Sequence, residues 1–368
     1  MITEITNNPE VKALPEFDNH HAVFLLENKD IGFRGYISIH RKNPALPSFG
    51  ATRMWSYETD IDGLRDSLRL SRMMSYKAAL AGLGCGGAKG VIIASTLDSN
   101  REKFLREYSR NVDLLQGKFI TGTDVGLQQE DLTIMKEETP YIVGFNDNSV
   151  EFTTLGIFNS ISVCLQKVFG TDDVSKRSFA IQGLGNIGSS LIKFLWSLGC
   201  RNIYASDVNP EKIKIIKEQF PEIIIVDPKK IHQKAVDVFS PCALSGIINE
   251  KTVKEFNCKI IAGGANNQIV KESLGTDLLE KNILYAPDYI TNAGGLISVF
   301  DEYSNKIYNR EIVTAKVLEI KNVLNKVFTI SDQSGRPTNI IANEFAEKIF
   351  NSFNKSLWDL SFIKKLLK

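Results

Sequence analysis

Short apolar runs alternate with amphipathic stretches in the first third of the chain. The segment FRGYISIH (33–40) alternates apolar and polar positions, which is the pattern of a half-buried strand. The segment 59–80 begins with a capping residue, Thr59 or Asp60, and continues with apolar residues at helical spacing. A glycine-rich turn follows, and then GVIIAS (90–95), which is short enough for a buried strand. These patterns predict strands and helices mixed in one N-terminal unit.

The pattern changes at about residue 178 to short strand-like runs separated by helical stretches. The strand-like runs are SFAIQ, NIYASD, IIIVD, AVDVFSP, KIIAGG and NILYAPD. This alternation predicts a parallel sheet with crossover helices. The chain is expected to be helical again from about 309 to its end, with SGRP (334–337) as the clearest break. Residues 1–20 are polar and irregular, which predicts a loose arm or a short first helix.

Composition narrows the class of protein. A chain of 368 residues suits two domains, and 43% hydrophobic residues can fill their cores. The net charge of +1 gives no field for gripping nucleic acid or an anionic membrane. No apolar run approaches the ~20 residues of a spanning helix, and MITEITNNPE is not a secretory signal. The five scattered cysteines form no CxxC pair, so we expect reduced thiols, no metal site and a cytoplasmic location.

A glycine fingerprint follows the first strand-like run of the second half. AIQGLGNIGSS places a GxGxxG motif after a predicted strand and before a predicted helix, where glycines allow a tight turn and close approach of a pyrophosphate. The predicted cofactor-binding turn consists of Gly183, Leu184, Gly185, Asn186, Ile187 and Gly188. Asp207 ends the next strand, where an acid accepts hydrogen bonds from ribose hydroxyls and repels a 2′-phosphate. The motif therefore predicts a dinucleotide site that favours NAD over NADP. The alternative is a glycine turn with no ligand.

Two lysines lie in an apolar setting in SYKAALAGLGCGGAKG (75–90). If residues 70–80 are helical, Lys77 shares a face with apolar side chains. Lys89 follows two glycines and Ala88, so little side-chain bulk screens it. Lysine normally lies at the surface. One interpretation is a pair of functional cations, and the other is a snorkelling Lys77 with a turn lysine at 89.

This stretch resembles the signature of the glutamate/leucine/phenylalanine/valine dehydrogenase family. Further blocks resemble that family in the same order, from about residue 35 to 350: FGATRM, TGTDVG, QGLGNIG, SPCALSG, AGGANNQ and YAPDYITNAGGLI. The resemblance implies oxidative deamination of an L-amino acid to a 2-oxo acid and ammonia, with reduction of NAD(P). It also implies an α/β protein of two domains and a homo-oligomer. We expect a substrate-binding and oligomerisation domain at 1–151 and 334–368, with a C-terminal helix returning to it, and an NAD-binding Rossmann domain at 152–333.

The resemblance assigns roles to single residues. It implies that Lys77 binds the substrate carboxylate, that Lys89 is the general base and that Asp124 binds the amino group and passes protons. Burial and a second cation would lower the pKa of such a lysine towards the useful range. The substrate-binding residues implied are Lys77, Phe49, Gly50, Gly122, Asn266, Leu296 and Val299. The further cofactor-binding residues implied are Thr153, Cys242, Ala243, Asn267 and Asn292. Asparagines and Asp124 could instead be turn or capping residues.

The residues that match the family's side-chain pocket indicate an apolar substrate. Glutamate enzymes of the family carry a lysine near the position of Phe49, and an aromatic ring cannot pair a second carboxylate. Gly122 and Leu296 match the residues typical of phenylalanine enzymes, but Phe49 is bulkier than usual, so leucine, other branched-chain residues and phenylalanine stay open. The alternatives are a glutamate dehydrogenase and a non-catalytic NAD-binding regulator. The stretch SVEFTT (149–154) lacks the prolines often found there in the family.

Overall fold

The computed structural model describes residues 1–94, 100–146, 148–243, 245–305 and 308–352. Its strands are β1 (Ile2–Glu4), β2 (Ala22–Asn28), β3 (Phe33–Ile39), β4 (Ser48–Phe49), β5 (Thr52–Trp55), β6 (Gly86–Ile93), β7 (Phe119–Ile120), β8 (Ser178–Gln182), β9 (Asn202–Ser206), β10 (Ile224–Ile225), β11 (Val236–Pro241), β12 (Cys258–Ile261) and β13 (Leu284–Tyr285). Its α-helices are α1 (Pro9–Lys12), α2 (Asp60–Leu80), α3 (Arg101–Asp113), α4 (Gln129–Glu138), α5 (Ser149–Phe169), α6 (Asn186–Ser197), α7 (Pro210–Gln219), α8 (Thr252–Glu255), α9 (Leu274–Glu280), α10 (Asp288–Thr291), α11 (Gly294–Ser304), α12 (Arg310–Leu318), α13 (Ile320–Ser334) and α14 (Thr338–Ser352).

The chain forms two compact units. Of the described residues, the first comprises those in Met1–Asp147 and Val299–Tyr308 together with residues 346–352, and the second comprises those in Asn148–Ser298 and Asn309–Phe345. The bounds expected from the sequence, 152 and 334, differ from these.

The largest difference is at the C-terminal boundary, and SGRP explains it. This segment ends α13 at the left-handed Gly335 (φ 67°), but the helices on both sides of it lie in the second unit. SGRP therefore marks a turn between two helices of the second unit and not a domain boundary. The chain re-enters the first unit within α14 instead, and residues 353–368 of the expected C-terminal segment lie outside the described part of the chain.

The first unit is built on a mixed sheet with the strand order β1-β2-β3-β6-β4-β7, and β5 also pairs with β6. The pairs β1–β2, β2–β3 and β3–β6 are antiparallel, whereas β4 and β5 pair parallel with β6. Apolar side chains of α3 and α4 join the strands in one core cluster, and Leu64 and Leu68 of α2 join Val23 and Tyr36 in another. The sheet is therefore covered by helices on both faces, which makes the inner strand β6 a buried platform.

Helix α2 begins where the capping signal predicts. Thr59 is its N-cap and forms a capping box with Asp62, which satisfies two of the backbone donors that a helix start leaves open. The N-terminal arm is more ordered than expected. It contributes strand β1, which pairs with β2, as well as the short helix α1.

Strand β6 begins four residues before the predicted strand, so the prediction of a turn at Lys89 is wrong. Lys89 lies inside β6, opposite Ser38 of β3. The glycines that suggested a turn instead allow close packing. A Cβ added at Gly87 would lie 1.9 Å from the backbone nitrogen of Ser75 in α2. The glycine run is thus a place where helix and strand touch through their main chains.

The second unit contains a parallel sheet with the strand order β10-β9-β8-β11-β12-β13. Numbered from its first strand, this is the order 3-2-1-4-5-6 of a dinucleotide-binding fold. Buried Phe179, Ile181, Val238 and Ile260 fill its strands. The order reverses between β8 and β11, and ligands bind at the carboxyl ends of strands beside such a switch point.

Helix α5 changes the expectation that no apolar run approaches the length of a membrane-spanning helix. By length and composition alone, this helix could cross a membrane, and it is the one helix of the described residues that could. However, 61% of its most apolar stretch is buried inside the protein, and it packs against α6, α12 and α13 of the second unit. Residues 149–154, where the family's prolines are missing, form the first turns of this helix rather than a loop.

Two buried histidines lie beside the sheet of the first unit. His20 accepts the backbone N–H of Asp18 through Nδ1 and contacts the Leu68 carbonyl through Nε2 at 3.1 Å. His40 contacts Asp18 Oδ2 through Nε2 at 3.0 Å, and its ring meets the His20 ring edge-on at 4.9 Å. Burial is the main cause that lowers the pKa of His20 to about 4 and that of His40 to about 3. Both rings are therefore neutral at physiological pH.

Candidate active site

Lys89 and Asp124 form a buried ion pair in the first unit. The Lys89 Nζ lies 2.8 Å from Asp124 Oδ2, and the two side chains are 5% and 14% exposed. Lys89 projects from β6, and Asp124 follows β7, where its backbone N–H donates to the Thr52 carbonyl. The sequence predicted both as catalytic residues, and the fold brings them into direct contact.

The pair has perturbed proton affinities. Burial lowers the pKa of Lys89, Asp124 opposes this and Arg53 adds to it. Burial acts to raise the pKa of Asp124, but the neighbouring charges of Lys89 and Arg53 outweigh it and hold this pKa well below its usual range. Asp124 is therefore an anion, and Lys89 loses its proton more readily than a free lysine does.

Lys77 lies on the buried face of α2. Its side chain is 9% exposed, and Leu70 on the same helix is 5% exposed. Met73 and Met74 are half-buried. The shared face predicted from helical spacing is thus present, and it holds a lysine among apolar side chains.

Phe49 and Gly50 lie at the end of β4. Phe49 is 1% exposed, and its ring lies 5.1 Å from the ring of Phe300 and 5.2 Å from that of Tyr303, the latter edge-on. Both partners come from α11. Phe49 is therefore packed against two aromatic rings in the first unit.

The other predicted substrate residues lie on two elements. Gly122 follows β7, and a Cβ added to it would lie 2.8 Å from the carbonyl oxygen of Val143. Its small size is therefore required by backbone packing. Leu296 and Val299 are one turn apart on α11, the first buried and the second half-buried.

The glycine fingerprint forms a tight turn into α6. Gly183 has a φ of 95°, and a Cβ added at Gly188 would lie 1.9 Å from the Gly183 carbonyl oxygen. Gly185 is the N-cap of α6, and a Cβ added there would meet open space. No side chain of the described residues caps the helix, so Asn186 and Ile187 begin it with free backbone donors. This arrangement fits a dinucleotide pyrophosphate, which takes up such donors at a helix N-terminus.

Asp207 lies directly beside this turn. Its Oδ2 accepts the N–H of Leu184 at 2.7 Å, and its Oδ1 accepts the N–H of Asn209 at 2.8 Å. Cys242 and Ala243 follow β11 on the other side of the switch point, and the Cys242 N–H donates to the Gln182 carbonyl at 2.7 Å. The residues predicted for the cofactor therefore meet at one edge of the sheet.

The asparagines behave differently from one another. Asn266 is exposed, whereas Asn267 is buried in a left-handed conformation (φ 51°), and its backbone N–H donates to Asp288. Both side-chain polar atoms of Asn267 lack a partner among the described residues. Asn292 donates to Asn266 Oδ1 at 2.9 Å, and its own Oδ1 is buried without a partner in the described part. Buried amides with open groups are suited to a polar ligand.

Thr153 lies within α5, in the same unit. A Cβ added at Gly295 of α11 would lie 2.7 Å from its Oγ1, so the hydroxyl faces the start of that helix. The described residues hold no group of three or more His, Cys, Asp or Glu side chains that could bind a metal ion.

Sequence reasoning missed the groups that surround Asp124. Arg53 donates through Nε to Asp124 Oδ2 at 2.9 Å and through Nη1 to Asp66 Oδ2 at 2.8 Å. The block FGATRM resembles a family block, but that resemblance alone predicts no role for its arginine. The sequence signal that could have found Arg53 is its place in the strand. It lies between Thr52 and Met54, which are both buried, so its charged group starts from a strand of the sheet core.

The chain matches the models of one protein family and known proteins over most of its length. The model of the glutamate/leucine/phenylalanine/valine dehydrogenase family matches residues 144–347, and the dimerisation-domain model of the same family matches residues 21–141. Leucine dehydrogenase from Bacillus subtilis is 35% identical over 351 residues, which cover 94% of this chain and 95% of that protein. L-tryptophan dehydrogenase from Nostoc punctiforme is 38% identical over 341 residues, which cover 92% and 95%.

A solved structure is similar over the same extent. The crystal structure of L-tryptophan dehydrogenase from Nostoc punctiforme superposes with a TM-score of 0.76 at 37% identity, and the match covers 92% of this chain and 97% of that one. The resemblance and the two-domain α/β fold predicted from the sequence are thereby confirmed. The chain belongs to the glutamate/leucine/phenylalanine/valine dehydrogenase family and is an L-amino acid dehydrogenase.

Proposed function

We propose that the protein uses NAD to deaminate an apolar L-amino acid oxidatively, giving the 2-oxo acid and ammonia. Its family depends on a nicotinamide cofactor, and the choice of NAD is the further step. The observation that carries the proposal is the buried pair of Lys89 and Asp124, because water attack on an imine needs a base that is neutral near working pH.

Lys77 and Asp124 are the groups that hold the substrate in this proposal. Lys77 presents an ammonium group from the buried face of α2, where a carboxylate gains a charge-assisted hydrogen bond in a dry setting. Asp124 accepts a hydrogen bond from the substrate's amino group. Its Oδ2 contacts Lys89 and Arg53, whereas its Oδ1 forms no hydrogen bond with a described side chain and can accept one from a further donor.

Lys89 moves the protons. With its pKa lowered by burial, the neutral amine takes a proton from the water that attacks the substrate imine, and it returns that proton when ammonia leaves. When bound, a nicotinamide cofactor would accept the hydride that leaves the α-carbon of the substrate. The neighbouring Asp124 stabilises Lys89 once it is charged.

Two features support the choice of partners. The aromatic surroundings of Phe49 favour an apolar side chain over glutamate, whose second carboxylate would be buried without a partner. Asp207 at the end of β9 favours NAD, because its charge repels a 2′-phosphate. We also propose that the protein is a homo-oligomer, which the match to a dimerisation-domain model supports. Its proposed location is the cytoplasm.

The test is NADH formation at alkaline pH with a panel of L-amino acids. Leucine, valine, isoleucine, phenylalanine and tryptophan should give measurable rates, with glutamate and aspartate near zero. A preference for glutamate would replace this proposal with a glutamate dehydrogenase. Cofactor binding without turnover of any amino acid would favour a non-catalytic regulator instead.

A further inference from the structure

Arg53 joins the Lys89–Asp124 pair to a second carboxylate. The same oxygen of Asp124, Oδ2, contacts the Lys89 Nζ at 2.8 Å and the Arg53 Nε at 2.9 Å. The Arg53 Nη1 donates to Asp66 Oδ2 at 2.8 Å, and both side chains of this second pair are less than one-fifth exposed. One guanidinium therefore bridges Asp124 at the site to Asp66 on α2.

Asp66 is itself fixed from two further directions. The Tyr57 hydroxyl donates to its Oδ2 at 2.8 Å, and the Arg69 guanidinium donates to its Oδ1 at 2.6 Å. Arg53 is thus held at both ends of its fork, by a residue of α2 and by a residue of the loop after β7. Its orientation is set by the fold.

This geometry compensates the negative charge of Asp124 when Lys89 loses its proton. A buried lysine paired with one carboxylate keeps its proton, because loss of that proton would leave an uncompensated buried anion. Arg53 is a permanent cation on the same carboxylate oxygen. Asp124 therefore stays balanced when Lys89 becomes neutral.

We propose that Arg53, held by Asp66, is a positioning residue that balances the charge of Asp124 and so allows Lys89 to work as a neutral base; this rests on the proposed role of Lys89. The charged groups that face Lys89 are Asp124 from the loop after β7, Arg53 from β5 and Asp66 from α2. Beyond the effect of burial, Arg53 lowers the pKa of Lys89, whereas both carboxylates raise it. Removal of Arg53 should therefore raise the pKa of Lys89, and removal of the Asp66 charge should lower it.

The test measures the proton affinity of Lys89 without using activity. Brief acetic anhydride labelling across pH, followed by peptide mass spectrometry, gives the midpoint at which Lys89 becomes reactive. In Arg53→Gln this midpoint should rise by at least about one pH unit, and in Asp66→Asn it should fall. Arg53→Lys, which keeps a positive charge, should lie between Arg53→Gln and the parent. The surface variant Arg106→Gln, whose partners are Glu102, Glu137 and Glu138, should match the parent.

Kinetics give the second measurement. The acid limb of kcat/KM against pH should move with the labelling midpoint in each variant. Unchanged midpoints, or shifts of the same sign in Arg53→Gln and Asp66→Asn, would overturn the proposal. If Arg53→Gln does not fold, Arg53→Lys decides, because its midpoint should lie above that of the parent. A parent that turns over no amino acid would refute the proposed function, whereas the labelling result would still settle the role of Arg53.

Discussion

The Leu184 N–H donates a hydrogen bond to Asp207 Oδ2 at 2.7 Å, which joins the glycine turn to the end of the second strand of the sheet. The carboxylate is therefore oriented before any ligand arrives. Each of its oxygens keeps a lone pair that can accept a ribose hydroxyl.

Cofactor choice should depend on Asp207. We expect the parent to prefer NAD strongly and Asp207→Ala to narrow that preference by roughly 10- to 100-fold, since hydrogen bonds to a charged group contribute about 1.5–3 kcal/mol. The measurement is kcat/KM with NAD and NADP in both proteins. Asp277→Ala, which removes an exposed acid from α9 in the same unit, should keep the parental ratio. Equal use of both cofactors by the parent would contradict this prediction.

The sequence predicted the second unit better than the first. Its strands are short, its crossovers are helical, and the GxGxxG spacing fixes which strand comes first, so local signals suffice. In the first unit, Gly86 and Gly87 gave the same signal as a turn, although they are strand residues packed against α2. The bridge made by Arg53 depends on β5, α2 and the loop after β7 meeting in space. Spacing along the chain cannot show such a contact.

Lys89→Ala should lose turnover while cofactor binding persists. Loss of a general base costs about 10²–10⁴-fold in rate, and the residues proposed to bind the nucleotide lie in the second unit. Because activity needs neutral Lys89, the parental rate should rise as the pH rises through the pKa of this lysine. Stopped-flow turnover and cofactor fluorescence titration measure the two effects. The exposed Lys118→Ala variant is the control, and near-parental kcat in Lys89→Ala would remove it from the mechanism.

Lys77→Met should weaken substrate binding more than it changes cofactor binding. The substitution keeps an unbranched side chain on the buried face of α2 but removes the charged partner of the carboxylate. Loss of a hydrogen bond to a charged group corresponds to a KM increase of roughly 10- to 100-fold. Steady-state kinetics with the preferred amino acid test this. Unchanged KM and kcat would exclude Lys77 from the site.

Phe49→Leu should shift specificity towards larger side chains. The smaller residue leaves space beside Phe300 and Tyr303, and a change of this size in an apolar pocket is worth about 1–3 kcal/mol of discrimination. The readout is the ratio of kcat/KM for phenylalanine and leucine. Phe104→Leu, in the core of the same unit and edge-on to Phe33, should lower stability without changing that ratio. An unchanged ratio in Phe49→Leu would leave Gly122 and Leu296 as the residues to test.

Stability should fall on acidification through the buried histidines. The folded-state pKa of His20 is lowered to about 4, mainly by burial, so protons bind the unfolded chain first. The stability that neutral His20 provides is present above about pH 6.5 and is lost as the pH falls towards 4, by up to about 3 kcal/mol. His20→Gln should therefore lose less Tm between pH 7 and pH 4.5 than the parent. The exposed His21→Gln should keep most of the parental acid sensitivity, and an identical loss in all three would contradict the prediction.

The contact between Gly87 and Ser75 has an evolutionary consequence. The Gly87 N–H donates to the Ser75 hydroxyl at 3.0 Å, and the two main chains touch where β6 crosses α2. Lys89 and Lys77 each lie two residues beyond this contact. Their spacing is therefore fixed by main-chain packing and is insulated from side-chain changes elsewhere in the core. In the proposed function, residues around Phe49 can therefore change, and with them the size of the side chain that is accepted, while the two lysines proposed to act on the α-amino acid group keep their spacing.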